Sequence, residues 1–263
     1  YQFLSSVENV HTKLHGSAKC VNITIQETFY AYTGVLFTMS TVPACIGIIL
    51  DGNRRWAKEQ GLSSFEGHRR GVDNLETIVY AAHDAGVAHV IVYAFSTENW
   101  GRTPEEVSYL MQLFETAIRE KLSRLATKDI AVRFVGELRR FPHTLQNTME
   151  EVTHTNPGTP KTTLWMCLSY GGRAELAQAA RATAASGESI TEESLAKHLW
   201  TAGMPDPDLI IRTGGEKRLS GFLPWQSIYS ELFFIEKYWP AFTKEDLETI
   251  LEEYAVRERR MGK

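Results

Sequence analysis

Cysteine is scarce in this chain, and long apolar runs are missing. The 263 residues include Cys20, Cys45 and Cys167 and no other cysteine. Three thiols cannot all pair and none stands in a Cys-x-x-Cys spacing, which argues against a disulfide framework and a structural zinc site. A reducing, cytoplasmic setting is the expectation. The longest apolar candidate, Thr28 to Met39, falls short of the ~20 residues that cross a bilayer. No basic segment precedes an apolar stretch near the start, so no signal peptide is read. A basic excess is also lacking: 28 Lys+Arg stand against 32 Asp+Glu, a formal net charge of −4. That argues against a bulk nucleic-acid binder and leaves room for a local cationic pocket.

Residues 1–38 keep no clear hydrophobic period, and Met39 is followed by Ser-Thr-Val-Pro and a clean apolar run. The expectation is an extension over 1–38 and a catalytic domain over 39–263. From Cys45 onward, strands and helices alternate. Apolar runs at Cys45–Leu50, Val90–Phe95, Ile130–Val135, Leu164–Leu168, Leu209–Ile211 and Leu232–Ile235 predict six strands. Between them, Leu75, Ile78, Val79 and Ala82 fall at helical spacing before Gly86. Pro104 opens a second amphipathic helix, and Thr144–His154, an Ala-rich stretch after Arg173, a helix after Thr191 and Thr243–Val256 complete the set. This alternation predicts a single α/β domain, a mostly parallel six-stranded sheet flanked by helices. In such a sheet, chemistry is expected beyond the carboxyl ends of the strands.

Those ends are rich in cations. After the first strand come Asp51, Gly52, Asn53, Arg54, Arg55 and Trp56, a glycine turn able to present backbone N–H groups to an anion. Gly67-His68-Arg69-Arg70-Gly71 is read as a helix start, where His68 and the dipole favour phosphate. After the second strand, Ser96 and Asn99 offer neutral hydrogen-bonding groups, Trp100 is read as packing, and Glu98 as a salt-bridge partner first and an acid or metal ligand second. After the fifth, Arg212 to Gly221 holds three cations, three glycines and two hydroxyls, a plausible diphosphate cradle. So many cations on a chain of net negative charge imply a small polyanionic substrate. Asp51, isolated among them, is then a candidate Mg²⁺ ligand, because Mg²⁺ takes one or two carboxylates plus substrate phosphates. Neither a G-x-x-x-x-G-K-[ST] loop nor a G-x-G-x-x-G after the first strand is present.

At these residues the chain resembles the cis-prenyltransferases, the undecaprenyl diphosphate synthase family. The matching blocks are Asp51–Ala57, Gly67-His68, Tyr93–Trp100, Tyr170-Gly-Gly-Arg173, Arg212–Ser220, Phe222–Gln226 and Tyr229–Leu232. The resemblance spans about residues 43–263. It implies a dimeric α/β enzyme with a hydrophobic tunnel that condenses isopentenyl diphosphate onto an allylic diphosphate, usually farnesyl diphosphate, with cis double bonds. It implies Mg²⁺ at Asp51, supported by Glu231. It assigns the allylic diphosphate to Gly52, Asn53, Arg55 and His68, and isopentenyl diphosphate to Arg212, Arg218 and Ser220. Trp56, Asn99, Arg102 and Glu106 become pocket and near-catalytic positions, with Asn53 and Asn99 beside Asp51 in the catalytic set. Arg260-Met261-Gly262 resembles an element that reaches the neighbouring active site in the dimer. The absence of any Asp-Asp pair separates the chain from the all-helical prenyl synthases.

The chain departs from the family pattern at Cys45, Arg54, Ser64, Lys217 and Gly221. Ser64 stands where an Arg is frequent, a charge that Arg54 or Arg69 is expected to replace. Ala81, Ala82, Val92, Ala94 and Leu110 are candidate tunnel-lining positions, and Thr162 is expected near the tunnel floor. The proton acceptor is left open between Asp51, water held by Asn53, and diphosphate itself. Alternatives are a short-chain cis-prenyl synthase, a non-catalytic partner subunit of the same fold and a phosphate-binding hydrolase. Contact with a membrane through the lipid product is expected; nucleic acid is not.

Overall fold

The apolar run at the first predicted strand has no polar face, and the fold explains why. In the computed structural model, which describes residues 42–259, β1 (Cys45–Ile49) is buried along its whole length. It lies between β2 (His89–Ser96) and β5 (Leu209–Arg212), parallel to both. With β3 (Ile130–Val135), β4 (Thr162–Tyr170) and β6 (Glu231–Phe234), these form one six-stranded sheet in the order β3-β4-β2-β1-β5-β6. Every pairing is parallel. Such a sheet is covered on both faces, so its strands read as continuous apolar runs.

Side chains alternate between two cores. Ile46, Ile48, Val90, Val92, Leu164, Met166, Leu209 and Ile211 face a large cluster built with the helices. Cys45, Ile49, Ile91, Tyr93, Trp165, Cys167 and Ile210 face a smaller one closed by Phe222 and Leu223. The large cluster is supplied by α2 (Ser64–Asp84), α3 (Pro104–Ala117) and, after α4 (Ser123–Leu125), α5 (His143–His154) and α8 (Lys244–Val256). Between β4 and β5 run α6 (Gly172–Ser186) and α7 (Glu192–His198). Several predicted helix starts are N-capped by a threonine: Thr103 before Pro104, Thr191 before α7 and Thr243 before α8.

Three features depart from the sequence reading. A seven-residue helix, α1 (Asn53–Glu59), follows the Asp51-Gly52 turn. α2 begins at Ser64, N-capped by Ser63, so Gly67 and His68 sit in its second turn rather than at its start. The helix start is therefore not at Gly67, and His68 presents its imidazole from within α2 rather than from the first turn. α3 does not continue as an α-helix to Leu125; a π turn over Ile118–Leu122 intervenes. The proposed extension over 1–38, the start at Met39 and Arg260-Met261-Gly262 lie outside the described residues.

The order of strands places one topological switch between β1 and β5, where successive connections leave in opposite directions. Ile49 pairs with Arg212 there, so Asp51 and the loop after Arg212 emerge side by side at the carboxyl edge.

Candidate active site

Asp51 stands among guanidinium groups, one of them from the far side of the chain. Its Oδ2 accepts a hydrogen bond from Arg212 Nη2 at 2.8 Å, and its Oδ1 lies 3.2 Å from Arg55 Nη2. Its backbone is fixed as well: the amide donates to Thr213 Oγ1 at 3.1 Å, and Thr213 Oγ1 donates to the Asp51 carbonyl at 2.8 Å. Gly52 holds φ +102° and N-caps α1, and a Cβ there would stand 2.5 Å from Tyr238 Cδ1. No other residue suits that conformation and that contact together.

α1 lies tight against α2. A Cβ at Gly67 would fall 2.2 Å from the Asn53 carbonyl oxygen, and one at Gly71 would fall 2.3 Å from Asn53 Oδ1. This contact sets Asn53, whose Nδ2 donates to the Leu50 carbonyl at 3.2 Å while Oδ1 is buried without a partner. His68 and Glu106 meet across α2 and α3: His68 Nε2 is 3.2 Å from Glu106 Oε1. Arg102 Nη1 donates to the same oxygen at 2.8 Å, and Arg54 approaches Glu106 Oε2 at 3.9 Å. Burial, and then the Arg102 guanidinium, push the His68 pKa below its ordinary value against the pull of Glu106. Burial raises the Glu106 carboxyl, but Arg102, the His68 hydrogen bond and Arg54 outweigh it and hold it below the usual range. The resting pair is a neutral imidazole beside a carboxylate.

Arg212 is 4% exposed. Its Nη1 donates to Ser220 Oγ at 2.8 Å and to the Arg218 carbonyl, while Nε is buried with no partner. A buried guanidinium N–H without an acceptor is rare. The loop that supplies Ser220 is bent hard, with φ of +51°, +81° and +51° at Ser220, Gly221 and Leu223. It is held by Phe222, stacked on Tyr93 at 5.0 Å, and by the Gly172 N–H donating to the Gly221 carbonyl at 2.9 Å. Gln226, at the end of the loop, donates to the buried Glu175 and to Thr201. Backbone strain of this kind persists where the surroundings over-determine it. Arg218 projects outward, 60% exposed, paired with Glu216, which also lies 3.5 Å from Arg55.

Two cavities meet at these residues. An open cleft of about 700 Å³ is lined by Leu50 to Arg55, Lys58, Leu62, Ser64, His68 and Arg102. A second cavity, about 230 Å³, shares Asp51, Asn53, His68 and Arg102 with it and adds Ser96, Asn99 and Arg212. From that polar mouth it runs between the sheet and α2 and α3, walled by Leu75, Leu110, Leu113, Phe114 and Ala117 among others. Cations and amides at one end and hydrocarbon beyond suit an amphiphile with an anionic head.

The structure thus gathers Asp51, Gly52, Asn53, Arg54, Arg55, His68, Ser96, Asn99, Arg102 and Arg212 around these cavities. Asn99 Oδ1 also accepts the Ser96 N–H at 3.0 Å, closing the turn that presents both. Ser220 stands behind Arg212, and Trp56 is half-buried on α1 and lines neither cavity. Glu231 is not brought to Asp51. It opens β6 at the amino end of the sheet, paired with Leu209 in register, and its carboxylate binds Arg257 at 3.0 Å. Arg69 does not replace the charge missing at Ser64: it pairs with Glu66 and Asp73 on the outer side of α2. Arg54 and Lys58 line the cleft instead. Ala94 and Leu110 line the apolar cavity, whereas Ala81, Ala82 and Val92 lie in the core. Thr162 is bonded to His83 and the Val87 carbonyl, away from the cavity. Glu98 forms no salt bridge among the described residues, contrary to the expectation, and instead accepts a hydrogen bond from Thr97 Oγ1 at 3.2 Å; Trp100 packs on Phe95 as expected. Lys58 and Trp239 were missed by the sequence reading. Lys58 is four residues after Arg54, a spacing that matters only once α1 is recognised as a helix.

The family model described as putative undecaprenyl diphosphate synthase matches residues 49–262. The chain belongs to this family. An isoprenyl transferase of Agrobacterium fabrum is 42% identical over 232 residues, covering 86% of this chain and 94% of that protein. One from Porphyromonas gingivalis is 44% identical over 229 residues, covering 84% of this chain and 90% of that one. Among solved structures, lavandulyl diphosphate synthase from Lavandula x intermedia, in complex with dimethylallyl diphosphate, aligns with a TM-score of 0.82 at 33% identity, over 85% of this chain and 99% of that one. A probable undecaprenyl diphosphate synthase from Campylobacter jejuni aligns at 0.72 and 28% identity, over 86% of this chain and all of that one. The fold is that of the undecaprenyl diphosphate synthase family, and the chain is a prenyl-group transferase.

Proposed function

We propose that the chain condenses isopentenyl diphosphate onto farnesyl diphosphate and extends it as a cis-polyprenyl diphosphate, such as undecaprenyl diphosphate. One observation carries the reading: a cationic mouth with a buried, unsatisfied Arg212 Nε continues directly into a hydrocarbon-walled cavity. A diphosphate satisfies the first, and a prenyl chain fills the second. In this reading Gly52, Asn53, Arg54, Arg55 and His68 hold the allylic diphosphate, and Arg212, Arg218 and Ser220 hold isopentenyl diphosphate. The allylic C–O bond breaks, the isopentenyl alkene forms the new C–C bond, and one proton leaves. The guanidinium groups stabilise charge on the departing diphosphate, and holding alkene and allylic carbon together supplies much of the rate. The apolar wall keeps water from the developing carbocation.

Asp51 suits Mg²⁺ arriving with a diphosphate. It is one partly exposed carboxylate at the lip of the cleft, and this ion takes its other ligands from phosphates and water. When bound, the ion neutralises the leaving diphosphate. Glu231, at the far end of the sheet, has no part in this within one chain.

A homodimer is the proposed working form. β6 is an edge strand, and Ile228 and Tyr229 beside it are 72% and 71% exposed, with Leu232 also uncovered. Apolar exposure of that kind suits a second copy. Among the described residues no helix is long and apolar enough to cross a membrane; membrane contact is proposed only through the lipid product.

The test supplies isopentenyl and farnesyl diphosphates with Mg²⁺ and resolves the dephosphorylated products by chain length. A ladder of products longer than farnesyl supports the reading. Formation of a single one-step product would favour a short-chain synthase, and no consumption of either substrate would overturn both.

A further inference from the structure

The apolar cavity has one charged cluster away from its mouth. Lys121 Nζ lies 2.8 Å from Asp73 Oδ1 and 3.7 Å from Glu76 Oε2, joining α3's continuation to α2. Lys121 and Glu76 both line the cavity, beside Leu75, Ile118 and Leu122. Glu76 is eight residues beyond His68 on the same helix, about 12 Å further from the mouth. The cluster also reaches solvent, since the side chains of Glu76, Lys121 and Asp73 are 22%, 27% and 31% exposed. These three side chains therefore stand between hydrocarbon cavity and water at the seam of α2 and α3.

Lys121 is suited to a movable wall. Its methylene stem can cover apolar surface while the ammonium reaches outward to two carboxylates. It sits in the π turn over Ile118–Leu122, a local break in the α-helical ladder of a kind that recurs at functional sites. Ion pairs this exposed contribute little net stability, so an entering hydrocarbon can part them. The alternative, burying the cluster under a prenyl chain, would strip water from three charges.

We propose that Lys121, tied to Asp73 and Glu76, latches a side portal between α2 and α3, and that the resistance of this latch sets how far the product grows. The proposal rests on the prenyl-chain reading of the cavity. While the latch holds, the tail is confined and elongation slows; once parted, the tail passes outward and further units can be added.

The test compares product ladders at equal substrate conversion, so that the readout is a ratio of chain lengths rather than a rate. The proteins are the full chain, Lys121→Met, Lys121→Arg and the double variant Asp73→Asn with Glu76→Gln, which loosens the latch from the other side. Lys121→Met and the double variant are expected to shift the ladder at least one isoprene unit longer, and Lys121→Arg to restore the parent ladder. An active Lys121→Met or double variant with the parent ladder, or with a shorter one, overturns the latch while leaving prenyl transfer intact. Absence of any condensation by the unmodified chain overturns the prenyl-chain reading, and the latch with it.

Discussion

His68 is a histidine whose environment opposes its charged form. In the unfolded chain it takes a proton near its ordinary value of about 6.5; in the fold, burial and Arg102 postpone protonation to lower pH. The unfolded state then binds more protons over that interval, and stability falls as pH drops from the unfolded value toward the folded one. Glu106, held below its ordinary range, adds a loss of the same direction at still lower pH. His68→Gln should flatten the dependence of the thermal midpoint on pH between 7 and 5.5; an unchanged slope would refute the assignment. Asp51 makes a different case. Its carboxylate neutralises a nearly buried Arg212, so Asp51→Ala should cost stability of about 1–3 kcal/mol as well as turnover. Asp51→Asn keeps a partner for Arg212 and should separate the effects, with turnover down by orders of magnitude and a midpoint near the parent's. Inorganic diphosphate should raise the midpoint of Asp51→Ala more than that of the parent. If both variants turn over normally at saturating Mg²⁺, Asp51 has no role in the chemistry.

At the scale of elements, the contact of α1 with α2 depends on two glycines one turn apart. Gly67→Ala drives a methyl into the Asn53 carbonyl oxygen, a backbone atom that cannot swing aside. Overpacking of this kind costs typically ~1–3 kcal/mol, and here it also displaces Asn53 and the cleft behind it. The expected result is a lower chemical-denaturation midpoint with an unchanged slope, and a raised KM for the allylic substrate; a variant matching the parent in both would refute the packing argument. The same helix shows why some of the fold was hidden in the sequence. Strands such as Cys45–Ile49 were legible because burial on both faces leaves an apolar run. α1 was not, because Asn-Arg-Arg-Trp-Ala-Lys-Glu has no hydrophobic period and Ala57 alone is buried. Its conformation is imposed by packing on Gly67 and Gly71. The cation-rich loops were legible as clusters, but their pairing was not: Asp51 and Arg212 are 161 positions apart, and His68 and Glu106 are 38 apart. That Glu231 stands away from Asp51 within the chain was hidden for the converse reason, since a motif gives order along the chain and not the end of the sheet at which a residue emerges.

At the scale of the molecule, the six strands of the described residues pair with one another without any residue upstream of the first. β1 is an interior strand, yet both of its neighbours, β2 and β5, come later in the chain. Among the described residues, both cavities are likewise lined by residues from Ile49 onward, and the family match begins at residue 49. A chain beginning at Met39 is therefore expected to fold and to condense its substrates as the full chain does. Thermal midpoint and specific activity of the two chains, measured side by side, decide the point. If residues 1–38 contributed a core element, removing them would uncover apolar surface at ~25 cal/mol per Å² and lower the midpoint. A drop beyond about 5 °C, roughly a 1–2 kcal/mol loss for a chain of this size, would assign them to the fold. A normal midpoint with lost activity would assign them to catalysis or assembly instead, and the catalytic domain could no longer be placed at 39–263.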